Sequence, residues 1–459
     1  MLYDSILARS FSKHEQKKMG YGALMGCLFI AFSFSIMLKP HLGRHFLALN
    51  LRLFPRASGI KMADIITKKP TPACNWMDWT DFCDIDMNVR IHGESSSVMF
   101  ASTDMEEHLE RNSTWKIKPY ARKQDANAMK NTREWSVKAA KSPQKLPQCT
   151  QNHSVPAILF SLGGYAGNHF HDFTDVIIPL FITARKFNGE VQFLITDSKS
   201  WWVLKYQAIL SKLSNYDIIY IDKEAQVLCF PHVIVGLKRD PKELSIDSNN
   251  HSFSMKDFKE FLRSSYSLNR GRAMENRGRG RGRKKWEIKP RLLIVARRKT
   301  RSFTNTGEII KMAKKLGFQV IVTEPDANLK KVAETVNSCD VMMGVHGAGL
   351  TNIVFLPERS VFIQIVPFGG AEWVSTRFFG EPSKDMELKY LGYDISLKES
   401  TLIQQYPKEH VVLRDPVAIQ KQGWSAFKSI YFDNQNVKLD INRFRPTLLK
   451  ALELLHHSS

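Results

Sequence analysis

Acidic residues are the first shortage in this 459-residue chain: 45 Asp and Glu stand against 66 Lys and Arg, a balance of 66 − 45 = +21. An excess of that size attracts something anionic, whether nucleic acid, a membrane surface, or a phosphate-bearing or acidic substrate. Cysteine is also scarce. There are six in all, with no CxxC and no Cys/His spacing, which argues against zinc. No internal repeat or heptad run is visible, so neither a solenoid nor a coiled coil fits. Disorder is excluded by 43% hydrophobic residues, and a polytopic membrane protein by 24% charged ones. The length allows two or three domains with sizeable cores.

What is present is unevenly placed. Arg270 to Lys285 (RGRAMENRGRGRGRKK) holds eight basic residues against Glu275, about a third of the excess charge in sixteen residues. With almost no apolar content it reads as a solvated, flexible insertion. Gly20 to Leu38 is nineteen residues without a charge. As a helix it would be roughly 28 Å long, near the hydrocarbon thickness of a bilayer. No small-residue cleavage pattern follows Leu38, so the run reads as a single uncleaved anchor rather than a signal peptide. Residues 1–19 would then be a cytosolic tail, and 39–73, mixed and aperiodic, a stem.

Three glycosylation triplets begin at Asn112, Asn152 and Asn250, all on the side the anchor would place in the lumen. Cys74, Cys83, Cys149, Cys229 and Cys339 share that side, where disulfides form, although the sequence leaves their connectivity open. The expected topology is a type II membrane protein of the secretory pathway, which removes nucleic acid as a partner.

Residues 74–148 read as irregular, with short strand-like pieces such as 98–101. Periodic structure begins at AILFS (157–161) and alternates strand and helix through 191–196, 202–213, 217–221 and 232–235. A second alternating unit follows the Arg/Gly run: strands at 291–296, 318–322, 339–345 and 361–366, helices at 306–315, 327–337 and from about 349. The pattern predicts two α/β units facing a cleft. Residues 74–269 would form the N-terminal lobe, which the resemblance given below makes the acceptor side, 270–286 the basic insertion, 287–397 the C-terminal lobe, and 398–459 a helical tail.

Three constellations could carry chemistry. Gly344-Val345-His346-Gly347-Ala348-Gly349-Leu350-Thr351-Asn352 ends a buried strand with the spacing GxxGxG, which is not the dinucleotide fingerprint. Such a turn lets backbone amides approach a diphosphate. His346 could donate to a phosphate oxygen, and Thr351 and Asn352 could bond ribose or phosphate. Asn168, His171 and Asp175 fall on one helical face. Either His171 is a base oriented by the Asp175 carboxylate, or Asp175 takes the proton and His171 positions it. His169 reads as incidental. Arg297 and Arg301 close the 291–296 strand and suit bidentate contact with a diphosphate. Lys238 and Arg239 follow another strand and could reach the same anion, and Glu324 could contact ribose or base. Asp84-Ile85-Asp86 has the DxD form of metal-dependent sugar transferases, but it precedes the α/β units and no metal site is assigned to it.

Taken in order, five blocks resemble glycosyltransferase family 61 of plants, the group with xylan arabinosyl- and xylosyltransferases: CDIDMNVRIHG (83–93), GGYAGNHFHDFTDVIIPLF (163–181), VIVGLKRDPKELSID (233–247), ARRKTRSFTN (296–305) and GVHGAGLTNIVFLPERSVFIQIVP (344–367). The resemblance spans about Cys83 to Asp440. It implies a GT-B fold, a UDP-sugar donor, and inverting transfer with no obligatory metal or other cofactor. It also implies an acceptor-side helix carrying Asn168, His171 and Asp175, and a nucleotide-sugar lobe carrying Arg297, Arg301, His346, Gly347 and Gly349. The Arg/Gly insertion departs from the family. The expected activity is transfer of arabinofuranose or xylose from a UDP-pentose to xylan at the Golgi membrane. The alternatives are xylosyl transfer to N-linked glycans, or a membrane-tethered polyanion-binding protein acting through residues 270–285.

Overall fold

The computed structural model describes residues 73–76, 79–101, 114–273, 289–324 and 328–456. The chain divides into units of 1–69 and 70–459, and every described residue belongs to the second. The expected tail, the anchor, nearly all of the stem, Asn112 and most of the Arg/Gly insertion lie outside the described residues. Among the described residues no helix is long and apolar enough to cross a membrane.

Sixteen described strands build three sheets. The N-terminal half contributes β1 (Ala73–Trp76), β2 (Asp81–Ile85), β3 (Val89–His92), β4 (Ser97–Ala101), β5 (Thr114–Ile117) and β6 (Trp135–Ala140). It continues with β7 (Gln151–Asn152), β8 (Ala157–Ser161), β9 (Gln192–Thr196), β10 (Val227–Phe230) and β11 (Val233–Val235). One sheet has the order β1-β2-β11-β8-β9 and the other β5-β6-β4-β3-β10-β7. Parallel pairing in the first is limited to β11, β8 and β9, because β2 joins β11 antiparallel. The fully buried runs of β8 and β9 are what strands covered on both faces require. Cys83, Val89, Leu159, Phe230 and Val235 share one core, which joins the two sheets.

Two expectations change here. Residues 74–148 are not irregular; they supply most of the six-stranded sheet. The four strands from this stretch, β3 to β6, are four to six residues long and interleave buried with less buried positions, leaving Lys116 and Lys138 outside, so the apolar signal in each is short. The expected strand 217–221 is reduced to a single bridge between Leu194 and Ile219 beside a short turn of helix. Disulfides link Cys74 to Cys83 and Cys149 to Cys229, and Cys339 is free and buried.

The C-terminal half follows its pattern closely. Strands β12 (Arg291–Val295), β13 (Gln319–Thr323), β14 (Val341–Val345), β15 (Val361–Val366) and β16 (Lys389–Asp394) form one all-parallel sheet, ordered β13-β12-β14-β15-β16. The last strand, with its mixed sequence KYLGYD, was not expected. The C-terminal segment is no appendage either: Phe444, Leu448 and Leu455 of the helix Ile441–His456 share a core with Val341 and Ile363 of the sheet. A further core runs through both halves, from Ile158 and Phe173 to Val332, Met342 and Phe355.

The helix Met255–Tyr266 belongs to that shared core, and its Ser254/Asp257 capping box satisfies its first turn. It also buries one cation. The Lys259 ammonium donates to the Met386 carbonyl at 2.8 Å, and burial pulls its pKa down from 10.5 to about 7. Between these values the unfolded chain binds the proton more tightly than the native one, so this group's contribution to stability rises with pH. Lys259→Met is therefore expected to raise the thermal midpoint by a few degrees at pH 6 and by less at pH 9, as read by differential scanning fluorimetry.

Candidate active site

The segment after β8 turns through Gly163 and Gly164 into a helix that begins at His169 and runs as a π-helix over Asp172–Ile177 before continuing as Ile178–Ala184. Single π-turns inside helices are frequent at functional sites because they re-aim side chains. Here the turn carries two fully buried carboxylates, Asp172 and Asp175.

Asp175 Oδ2 accepts from His171 Nδ1 at 2.9 Å, Arg122 Nε at 2.8 Å and the Tyr120 hydroxyl at 2.9 Å. Arg239 stands 3.7 Å from Oδ1 and bonds Glu243 at 2.6 Å, and Arg122 bonds the same Glu243 at 3.0 Å. Burial alone would raise the Asp175 carboxyl, but Arg122, the His171 hydrogen bond and Arg239 together hold it well below the usual carboxylate range. An ionised carboxylate only accepts, so His171 carries a proton on Nδ1, and the neutral ring has its lone pair on Nε2. The His171 side chain is 19% accessible and that of Asp175 0%. Of the two expected proton acceptors, only His171 reaches solvent.

Three expected placements are corrected. Asn168 is exposed, and its side-chain oxygen caps the helix by accepting from the Phe170 amide at 3.1 Å, so it is not brought to the His171–Asp175 pair. Arg239 is buried in the Asp175–Glu243 cluster, and Lys238 lies over the Phe82 ring. Neither lines the cavity beside Arg297. His169, in turn, is not incidental. Its Nε2 pairs with Asn352 Oδ1 at 3.0 Å, tying the N-terminal half to the glycine-rich turn of the C-terminal half.

The second cluster lies at the C-terminal edge of the parallel sheet, where α/β folds bind ligands. Arg297 and Arg301 follow β12, and His346 and Gly347 follow β14. Gly347 has φ +151°, and a Cβ there would stand 2.8 Å from an Arg297 guanidinium nitrogen and 3.1 Å from that of Arg301. Only glycine lets both arginines lie against the turn. Neither guanidinium forms an ion pair with a carboxylate among the described residues; Glu324 and Asp433 act on them only at longer range. Burial, then Arg297, pulls Arg301 down to about 10. Its Nε is buried without a hydrogen-bond partner, and its backbone sits at φ 54°, uncommon for a side chain of this size.

His346 stacks on Phe432 with centroids 5.1 Å apart, and burial holds its pKa at about 3, so it is neutral. The Tyr390 hydroxyl donates to Gln364 Oε1, which leaves the Gln364 amide to donate to His346 Nδ1 at 2.8 Å. The His346 proton is thereby placed on Nε2, which has no protein partner among the described residues.

A cavity of about 500 Å³ opens beside this cluster, lined by His169 and Lys205 from one half and by Arg297, Arg298, Lys299, Glu324, Gly349 and Asn352 from the other. Four cations face one carboxylate, and Glu324 already holds Arg298 at 2.7 Å. Thr351 is completely buried and does not line the cavity, and its hydroxyl is buried without a hydrogen-bond partner. Among the described residues no group of three His, Cys, Asp or Glu is placed to hold a metal, and Asp84 of the DxD is taken up by His232 at 2.5 Å.

Sequence reasoning missed Tyr120 and Arg122, which lie in a stretch read as irregular, and Glu243, which stands inside the 233–247 block but was given no role. It also missed Lys205, on the helix Ser200–Leu213, and Asp172. Asp172 accepts from Gly167 N, Trp202 Nε1 and the Tyr206 hydroxyl, each at 2.7 Å, and so fixes the turn that presents His169. The pattern of an acid beside two histidines, HFHD, was the available signal for Asp172.

Residues 170–363 match the family described as Glycosyltransferase 61. The rice (Oryza sativa subsp. japonica) beta-1,2-xylosyltransferase XYXT1 is 39% identical over 450 residues, covering 93% of this chain and 95% of that one. The chain belongs to glycosyltransferase family 61. Within the family, the rice alpha-1,3-arabinosyltransferase XAT3 is 47% identical over 84% of this chain, and the Arabidopsis thaliana xylan glycosyltransferase MUCI21 is 36% identical over 86%. This family 61 chain spans 66% of the length of XAT3 and 82% of that of MUCI21.

Proposed function

We propose that the protein is an inverting pentosyltransferase that moves arabinofuranose or xylose from a UDP-sugar to xylan. The observation that carries this reading is the Arg297–Arg301 pair: two partly buried guanidiniums held against Gly347 with no carboxylate to neutralise them. Such a pair is expensive to maintain unless an anion completes it. The size of the cavity suits a nucleotide sugar. The relatives named as arabinosyl- and xylosyltransferases supply the pentose and the xylan.

The chemistry is an in-line displacement. The acceptor hydroxyl gives its proton to His171 Nε2 and attacks the anomeric carbon from the face opposite the UDP. Arg297, Arg301, the His346 Nε2 proton and the amides of the glycine turn stabilise charge arriving on the leaving diphosphate. Asn352, Gly349 and Glu324 line the same cavity and serve the donor's sugar or base. These cations meet the diphosphate charge without an obligatory metal. Two α/β halves, each offering the C-terminal end of a parallel strand to one site, support the GT-B assignment.

The same proposal places the enzyme at the Golgi membrane, anchored through residues 20–38 with its catalytic body in the lumen. Exposed Asn152 and Asn250 and the two disulfides support that compartment. The test is incubation of the purified full-length protein with a panel of UDP-pentoses and UDP-hexoses and with xylo-oligosaccharides, read by mass spectrometry. A gain of one pentosyl unit is expected from one UDP-pentose, and transfer restricted to hexoses would overturn the proposal.

A further inference from the structure

Two of the largest exposed apolar side chains in the C-terminal half are tryptophans, and they are neighbours. Trp373 is 43% exposed and Trp424 46% exposed, with ring centroids 6.4 Å apart and planes inclined by 71°. Neither is a loose surface ring. Both pack on Phe427, and Trp424 also packs on Phe432 at 5.9 Å. Phe432 in turn stacks on His346 and lies under the Arg301 guanidinium at 5.3 Å. A continuous ladder of rings therefore runs from the donor cluster to the surface.

The topology agrees. Trp373 lies in the short helix Glu372–Ser375, which follows β15, the strand next to β14. It therefore emerges at the same sheet edge as His346, and the Ser375 hydroxyl of that helix is 3.2 Å from His346 Nδ1.

We infer that Trp373 and Trp424 form the seat for the backbone of a pyranose polysaccharide, the acceptor chain beyond the sugar that reacts. This rests on the proposed xylan reaction and adds to it a second contact for the acceptor. An indole face is apolar with a negative quadrupole, and a pyranose chair offers it a face of polarised C–H groups. A xylose unit lacks the hydroxymethyl arm, so both of its faces are flat enough to stack. Xylan also turns between successive residues, so two inclined rings follow it better than a coplanar pair. Exposed Arg377, four residues after Trp373, and exposed Lys421 and Gln422, three and two residues before Trp424, supply polar groups for hydroxyls at the sugar's edge. An exposed aromatic patch held rigid and continuous with a reaction site is the expected form of a binding surface.

The experiment is affinity electrophoresis of the full-length protein through gels containing soluble arabinose-free xylan, alongside transfer kinetics. The double variant Trp373→Ala/Trp424→Ala is expected to lose most of its retardation. Its KM for xylohexaose should rise about tenfold, with the KM for the UDP-sugar and for a two-unit acceptor within twofold of wild type. Trp424→Phe, which keeps a ring and guards against misfolding, should retain most of the retardation. Equal retardation of wild type and the double variant would overturn the inference. So would a matching rise in the UDP-sugar KM, which would make the rings a seat for the base, or a change in molecular mass by light scattering, which would make them a contact between copies. Tryptophan-dependent retardation without any transfer would instead overturn the xylan reaction and leave the seat standing. Transfer that ignores both tryptophans would do the reverse.

Discussion

His171→Ala is expected to lower transfer turnover by about 10³-fold while the KM for the UDP-sugar stays within a few-fold of wild type. The argument is geometric. The Asp175 carboxylate is ionised and inaccessible, so its role is to hold Nδ1–H of the ring and direct Nε2 outward. In Asp175→Asn the amide oxygen takes the place of Oδ2, because Arg122 Nε–H can only donate there, so the ring keeps its Nδ1–H bond but loses the negative charge beside it. The imidazolium that forms when Nε2 takes a proton is then less stabilised, so turnover should also fall, by about 10²–10⁴-fold. The second substitution has a structural consequence the first lacks. It leaves Arg122 and Arg239 less compensated in a buried site, and the loss of stability is expected to be on the order of a few kcal/mol. Steady-state kinetics together with thermal midpoints separate the two effects. Turnover by His171→Ala within twofold of wild type would remove the base assignment.

The second large effect belongs to the arginines. Arg301→Met is expected to lower kcat/KM for the UDP-sugar by about 10²–10³-fold, because on the proposed reading it removes a donor to the leaving diphosphate. A purely structural arginine would also lower stability when removed. Arg301 has no carboxylate partner, and Arg297 opposes its charge, so its thermal midpoint should fall little. UDP should raise the midpoint of wild type and do so much less in Arg301→Met, since a ligand stabilises only the state it binds. Arg301→Lys keeps the charge without the planar fork and should recover only part of the loss. A normal response of Arg301→Met to UDP would place the diphosphate elsewhere.

The C-terminal half was legible in the sequence because its three central strands are buried on both faces. RLLIV, VMMGV and VFIQIV are apolar runs, interrupted only by Arg291 at one end and Gln364, and separated by helical segments. Its site was legible for the same reason: once β12 and β14 are strands, Arg297 and Gly347 must follow them at one edge. The six-stranded sheet was not legible, since strands such as TWKI and VRIH bury only alternate residues and carry charges between them. That loss hid Tyr120 and Arg122, which come to Asp175 from 55 and 53 residues away in sequence. The HFHD block was read by helical spacing, but the π-turn over 172–177 and the capping of Asn168 changed which side chains share the site. Arg239 and Lys238 were misplaced because a strand end predicts an edge but not which sheet owns it.

The most direct test of the pentosyltransferase reading is the configuration of the product. Full-length protein, one UDP-pentose and a xylo-oligosaccharide should be followed by proton NMR from the first turnover. The reading predicts a new pentosyl signal on the oligosaccharide with the anomeric configuration opposite to that of the donor, absent from His171→Ala. A product that retains the donor's configuration, or release of free pentose with none on xylan, would contradict it.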